Sequence, residues 1–285
     1  MGDEKNIFGG YWTEQKINIF IKYLYAYLEI MKSRNFDLIY FDGFAGCGTI
    51  DNKGNEEGLI ESVAVRVLSI DHPKRFTYYY LVEKSPAKKR ELEAVIGSRF
   101  PHVLGTHVVE ADCNAKLKGM SQFLKKNSRF RSLCFIDPFG MTVDWESIAC
   151  FRDLGIDMWL LVPTGIGVNR MLTKSGKIND AWLKKLERFL GLDQPTIMEY
   201  FYNQTKEMTL FGEEDLVKKR NNSIEKIMDL YSKQLKTVFK YVSTPFPMKN
   251  TTGSVMYHFV LATNNKSGFS IGNDIIGKEL RNISI

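Results

Sequence analysis

Leu38-Ile39-Tyr40-Phe41 runs directly into Asp42-Gly43-Phe44-Ala45-Gly46-Cys47-Gly48. Four apolar side chains in a row, with no polar alternation, suit a strand buried on both faces, as in a parallel sheet. The switch to an acid and then three glycines within six residues marks a tight turn at the strand's carboxyl end, where glycine lets backbone approach a ligand closely. Upstream, Ile17, Phe20, Leu24, Tyr27, Leu28 and Met31 recur at spacings of three and four. That single apolar face predicts a helix over residues 13–33 with Thr13 as its N-cap.

The same unit repeats downstream. Phe76 to Val82 ends at Glu83 and is followed by a charged helical stretch from Pro86 to Ile96. His107-Val108-Val109 leads to Glu110 and Asp112, Leu133 to Ile136 leads to Asp137-Pro138, and Met158 to Val162 leads to Pro163. Five strands alternating with helix-compatible segments predict an α/β fold with a mainly parallel sheet. Beyond Pro163 the rhythm breaks. Residues 165–240 read as helical and irregular, with helices over Ala181 to Leu190 and Asp215 to Tyr231. Strands return at Thr237 to Val242 and Ser254 to Ala262, joined as an antiparallel hairpin, and a last helix starts near Ser270. The expected organisation is a core made of 1–164 and 241–285, with 165–240 inserted between strands five and six.

Composition sets the outer bounds. The 285 residues are 44% hydrophobic and 25% charged, which allows a real core and excludes disordered, collagen-like and coiled-coil chains. No apolar run reaches about 18 residues, so no membrane span is expected. The first residues lack the basic-then-apolar order of a secretory signal. Cys47, Cys113, Cys134 and Cys150 show no C-x-x-C spacing, and His72, His102, His107 and His258 have no metal-ligand spacing. No metal is expected, the cysteines are small buried or pocket-lining thiols, and a cytoplasmic, reducing location follows. Net charge is +6. Residues 1–164 carry 21 charges of each sign, 165–240 carry 14 Lys/Arg against 10 Asp/Glu, and 241–285 carry four against two. That bias fits an anionic partner, and equally a solvated lysine-rich helix surface.

In open α/β sheets ligands bind beyond the carboxyl ends of the strands. Those ends here carry Asp42, Glu83, Asp112 and Asp137 in chain order. Gly43 and Gly48 have P-loop spacing, but Thr49-Ile50 stand where its lysine is needed. Gly43-x-Ala45-x-x-Gly48 is a weak dinucleotide fingerprint. The ordered set of four strand ends resembles instead the class I methyltransferase pattern, which binds S-adenosyl-L-methionine. That resemblance implies cofactor contacts from Asp42, Gly43, Phe44, Gly46, Gly48, Glu83, Asp112 and Cys113. A carboxylate such as Glu83 accepts both ribose hydroxyls.

Asp137-Pro138-Phe139-Gly140 resembles the Asp-Pro-Pro-Tyr motif of enzymes that methylate exocyclic amines of nucleobases, and the Asp-Pro-Phe-Gly form of tRNA guanine-N2 methyltransferases. The resemblance gives Asp137, Pro138 and Phe139 a catalytic role. The Asp and the following carbonyl hold the amine, and the aromatic ring stacks on the base, so that orientation does the chemistry. The other reading makes Asp137 a turn cap and Phe139 a core residue. The glycine loop also looks like that of cytosine-C5 methyltransferases, but the turn after strand four has no cysteine to act as nucleophile. Asn169 and Arg170 follow strand five on the same edge, as substrate contacts or as loop anchors; Arg170 suits a phosphate or carboxylate.

Nearly end to end, the chain resembles the three-Cys-motif partner protein family. The resemblance rests on Trp12-Thr13-Glu14-Gln15-Lys16, residues 41–48, Val82-Glu83, Asp112-Cys113-Asn114, residues 135–140, Asn169-Arg170-Met171-Leu172, Ala181-Trp182 and residues 259–268. It implies a seven-stranded, mostly parallel Rossmann-like methyltransferase sheet with the helical insertion after strand five. It also implies a radical-SAM-like partner protein, which carries the three cysteines. Two functions follow as expectations. One is an S-adenosylmethionine-dependent N-methyltransferase modifying RNA or DNA. The other is a cofactor-binding, non-catalytic subunit of that partner.

Overall fold

A computed structural model describes residues 11–50, 60–209 and 212–283. Helix α1 (Tyr11–Lys32) leads into the buried strand β1 (Asp37–Asp42). A two-residue pair, β2 (Thr49–Ile50) with β3 (Ile60–Glu61), then flanks α2 (Val63–Leu68). The repeating units follow: β4 (Tyr78–Glu83), α3 (Pro86–Arg99), β5 (Thr106–Glu110), α4 (Cys113–Lys126), β6 (Phe130–Ile136), α5 (Trp145–Ala149) and β7 (Ile156–Val162). A π-turn at Thr164–Val168 passes into α6 (Asn169–Met171), α7 (Asp180–Leu190) and α8 (Gln194–Phe201). The ribbon β8 (Tyr202–Thr209) with β9 (Gly212–Lys219) precedes α9 (Ser223–Lys236). Short strands β10 (Tyr241–Val242) and β11 (Phe246–Lys249), the long β12 (Val255–Thr263) and α10 (Lys266–Ile283) complete the fold.

Across the main sheet the order is β5-β4-β1-β6-β7-β12-β10, with β11 also paired to β12. The first five strands in that order are parallel, and β12 runs antiparallel to β7, β10 and β11. The chain leaves β1 toward β4 and β5, then returns to its other side for β6 and β7. That reversal makes a topological switch point at β1 and β6, and the crevice beyond their carboxyl ends is where such sheets bind ligands. All seven residues of β7 and the last five of both β1 and β6 are buried. One apolar layer packs α1, α2, α3 and α10 against the sheet, and the other packs α4, α5 and the helices after β7.

Several expectations shift. Thr13 is no cap: it lies inside α1 and is buried. The stretch 165–240 is not purely helical, because β8 and β9 pair antiparallel over 202–219 and the helix expected from Asp215 starts at Ser223. Of the strand expected over Thr237 to Val242 only Tyr241–Val242 forms, since α9 continues to Lys236. The last helix starts at Lys266, four residues earlier than expected, with Asn265 Oδ1 accepting from Ser267 N.

A buried polar anchor ties the layers at the far end of the sheet. Asp157 of β7 accepts from Tyr23 Oη of α1 at 2.8 Å and from Thr263 Oγ1 at the end of β12. Burial pushes the Asp157 carboxyl above its ordinary range, opposed by those two donors. Tyr23→Phe removes a donor from this buried acid without opening a large cavity. A loss of about 1–3 kcal/mol is expected. It would be read as a lowered urea midpoint at unchanged slope.

Candidate functional site at the switch point

The site assembles where β1 and β6 end side by side. Asp42, the last residue of β1, is 2% exposed. Its Oδ1 accepts from Phe44 N at 3.0 Å, closing the first turn of the glycine loop, and its Oδ2 accepts from Tyr40 Oη at 3.0 Å. Burial, the largest influence, pushes the carboxyl up to about 7. The two donors and Lys16 pull it back, while the Asp137 charge adds to the rise. Asp42 therefore shapes the loop from beneath, and its contacts are internal to the turn.

Asp137 follows β6 on the other side of the crevice. Its Oδ2 is bound by Lys16 Nζ of α1. Lys16 is 4% exposed, and its ammonium also lies 5.9 Å from the centre of the Phe135 ring. Pro138 is buried, whereas Phe139 is 64% exposed, with Lys88 Nζ 5.4 Å from its ring centre. The core placement of Phe139 is thus excluded, and its ring is presented at the crevice rim. Tyr257 of β12 packs close by. Burial raises its phenol to about 12, the Asp137 charge adds to that and Arg170 opposes it. Lys16 and Tyr257 were not singled out as site residues by sequence reasoning.

The glycine loop lies against Glu83, the last residue of β4. Glu83 Oε2 accepts from Gly46 N at 3.0 Å and Oε1 from Ser85 N at 2.7 Å. Each oxygen keeps a second lone-pair direction for a hydroxyl. Two glycines are required here for different reasons. A Cβ on Gly43 would stand 2.7 Å from Cys113 Sγ. Gly46 has φ +69° and faces open space, with no atom within 4 Å of its would-be Cβ. Gly48 also takes a positive φ, and Phe44 is half-buried against the core.

Asp112 is the N-cap of α4, accepting from Asn114 N at 2.9 Å, and Lys84 Nζ lies 3.8 Å from its other oxygen. Asn114 then reaches across to the loop after Phe139, donating to Thr142 O and accepting from Asp144 N, both at 2.8 Å. Cys113 is buried, and burial raises its thiol well above the ordinary range, with the Asp112 charge next, which disfavours the thiolate. Asn169, expected to face substrate, is committed elsewhere. Its Oδ1 accepts from Lys219 Nζ at 2.6 Å and Ser223 Oγ at 2.7 Å, which pins the ribbon and α9 to the π-turn. Arg170 is exposed beside it. Among the described residues no cluster of three or more His, Cys, Asp or Glu suits a metal ion, and no helix is long and apolar enough to cross a membrane.

No protein-family model matches the chain, and no curated protein does. Among solved structures, the crystal structure of protein LPL1258 from Legionella pneumophila, assigned to family model DUF519, aligns with 88% of this chain and 96% of its own. The two share 15% identity at a TM-score of 0.41.

Asp42 makes stability depend on pH in a defined direction. Its folded value near 7 lies above the ordinary 3.8, so between pH 4 and 7 the native state holds a proton that the unfolded chain has released. Stability contributed by this group is complete below pH 4 and is lost as pH rises through 7. Asp42→Asn removes the dependence. The free-energy difference between wild type and variant, from denaturant titrations at pH 4 and pH 8, is expected to change by roughly 4 kcal/mol at most.

Proposed function

We propose that the chain is an S-adenosylmethionine-dependent methyltransferase acting on an exocyclic amine of a nucleic-acid base. The observation that carries this reading is the paired geometry of Asp137 and Phe139. A carboxylate anchored by a buried lysine stands at the crevice floor, and two residues on an aromatic ring stands exposed at its rim. The sheet order, with antiparallel β12 between β7 and β10, supports the methyltransferase-like fold that the sequence resembles.

The residues fit the cofactor. The glycine turn leaves open space at Gly46 that a side chain would fill. Glu83 has acceptor directions left for ribose hydroxyls, and Asp112, half exposed, is placed to accept from an adenine amine. Gly43 and Gly48 allow the turn, while Asp42 and Phe44 hold its shape. When bound, the cofactor supplies an electrophilic methyl group on a sulfonium. Everything else falls to the chain. Asp137, bound through Oδ2 to the Lys16 ammonium, accepts a hydrogen bond from the target amine through Oδ1. That bond turns the nitrogen lone pair toward the donor crevice. Phe139 stacks on the flipped base and excludes water. The gain comes from holding the reacting atoms in line rather than from an activated nucleophile. Arg170 at the edge offers a phosphate contact.

The same lysine favours a second reading. With Oδ2 occupied by Lys16, Asp137 serves on this reading as a fold anchor. The chain would then bind the donor as a non-catalytic subunit of a three-Cys-motif, radical-SAM-like protein. A methyl-transfer assay with labelled donor on total RNA, DNA and protein, with and without that partner, separates the two. On the catalytic reading Asp137→Ala lowers transfer to nucleic acid at least about a hundredfold. Calorimetric affinity for the cofactor's demethylated product should stay within about twofold, since Asp137 is not among the residues assigned to hold it. Undiminished transfer in the variant overturns the role of Asp137, and absence of heat with both donor and product overturns the cofactor.

A further inference from the structure

A cavity of about 620 Å³ lies away from the crevice, between α4 and the open face of β4 and β5. Aromatic rings dominate its wall. Tyr78 is 41% and Phe123 39% exposed, which is unusual for rings of this size on a sheet face and a helix. Tyr78 stacks on His107 with ring centres 6.2 Å apart, and Phe123 meets Phe130 edge-on at 4.9 Å. Of the described helices flanking these strands, α4 lies on this side and α3 packs in the opposite layer.

The chain segment that carries Phe123 and Phe130 has charges of one sign. Residues 113–131 hold six Lys/Arg and no Asp or Glu. Three of the six are committed: Lys118 to Glu146, Arg129 to Asp37, and Arg131 to the Ser128 and Phe130 carbonyls. Among the described residues no carboxylate pairs with Lys116, Lys125 or Lys126. Lys116 lines the cavity, its Nζ 6.0 Å from the Tyr80 ring centre. Lys126 stands three residues after Phe123 and seven after Gly119, on the helix face that lines the groove.

We infer that this groove binds a short segment of single-stranded nucleic acid, its bases stacked on Tyr78 and Phe123 and its phosphates beside Lys116 and Lys126. Exposed rings interleaved with unpaired cations recognise a chain that is at once aromatic and anionic. An acidic peptide would answer the lysines and leave the rings bare. Helix α4 starts at Asp112 in the crevice, and its 14 residues span roughly 20 Å. The groove therefore leads a strand of a few nucleotides toward the site. The inference deepens the nucleic-acid substrate of the proposed function, but binding here needs no methyl donor.

The test is fluorescence anisotropy with a labelled oligouridylate of about 12 nucleotides, full-length protein and no cofactor. Wild type should bind, with affinity falling steeply as salt rises. Tyr78→Ala with Phe123→Ala should weaken binding at least about tenfold. Lys116→Ala or Lys126→Ala should reduce the log-salt slope by about one. A Cβ at Gly119 meets nothing within 4 Å, so Gly119→Glu puts an anion in the groove without a clash and should weaken binding comparably. Tyr78→Phe, which keeps the ring, should bind like wild type, and thermal melts confirm that the exposed-site variants fold. Full affinity in the double alanine variant, no binding at low salt, or equal displacement by polyglutamate overturns the assignment. Oligonucleotide binding lost in the variants alongside a negative cofactor titration would keep the groove and sink methyl transfer; the converse result would do the opposite.

Discussion

The Lys16–Asp137 ion pair is the constraint around which the crevice is organised. It joins the first helix to the end of β6 across 121 residues of chain. Withdrawing an ammonium and a carboxylate from water is costly, and the cost is met only when each finds the other in good geometry. Lys16 is almost wholly buried, so it has no solvent-exposed alternative at that position of α1. The pair consequently fixes how α1 lies over the sheet, and α1 in turn brings Tyr23 to Asp157 at the opposite end. One helix thus supplies a donor to a part-buried acid at one end of the sheet and to a buried acid at the other.

The pair also sets the electrostatics of the switch point. Asp42 and Asp137 face one crevice; burial raises the Asp42 carboxyl most, and the Asp137 charge adds to that rise. The single buried ammonium lies nearer the second and lowers the first only weakly. Asp42 responds by holding its proton to near neutrality, with Tyr40 Oη and Phe44 N supplying the local donors. Two acids of the same type at neighbouring strand ends thereby come to differ: one is a buried, loop-shaping group and the other a charge at the cavity floor. Environment, not residue identity, divides their work.

Much of this was legible in the chain. Unbroken apolar runs such as Leu133 to Ile136 and Met158 to Val162 mark strands buried on both faces, because only a parallel sheet covered on both sides tolerates them. Each run ended at the residue that the topology then placed on the carboxyl edge. What escaped has a common cause. Lys16 reads as one more helix-surface lysine, since its burial depends on a partner 121 residues away. The ribbon 202–219 carries Lys206, Glu207, Glu213, Glu214 and Asp215, charges that look helical or solvated. Its strands pair antiparallel with each other over 202–219. Asn169 stood in the right loop, but its partners Lys219 and Ser223 arrive from the ribbon and α9, which local pattern does not position.

Charge counting by segment misled in the same way. Residues 1–164 are neutral as a block, which suggests no anion-binding face. Yet six of the 21 cations there fall within residues 113–131, which contain no acid. A helix of 14 residues with four lysines and no acid generates a local field that a block average cancels, and within about 10 Å such a field is what a polyanion meets. The basic surplus of 165–240, by contrast, is partly consumed inside the fold, with Lys219 closing on the Asn169 and Leu172 carbonyls and Arg188 on Asp144. On the groove proposal, the lysines of α4 that would meet an anionic strand sit in the segment whose net charge is zero, next to the exposed rings Tyr78 and Phe123.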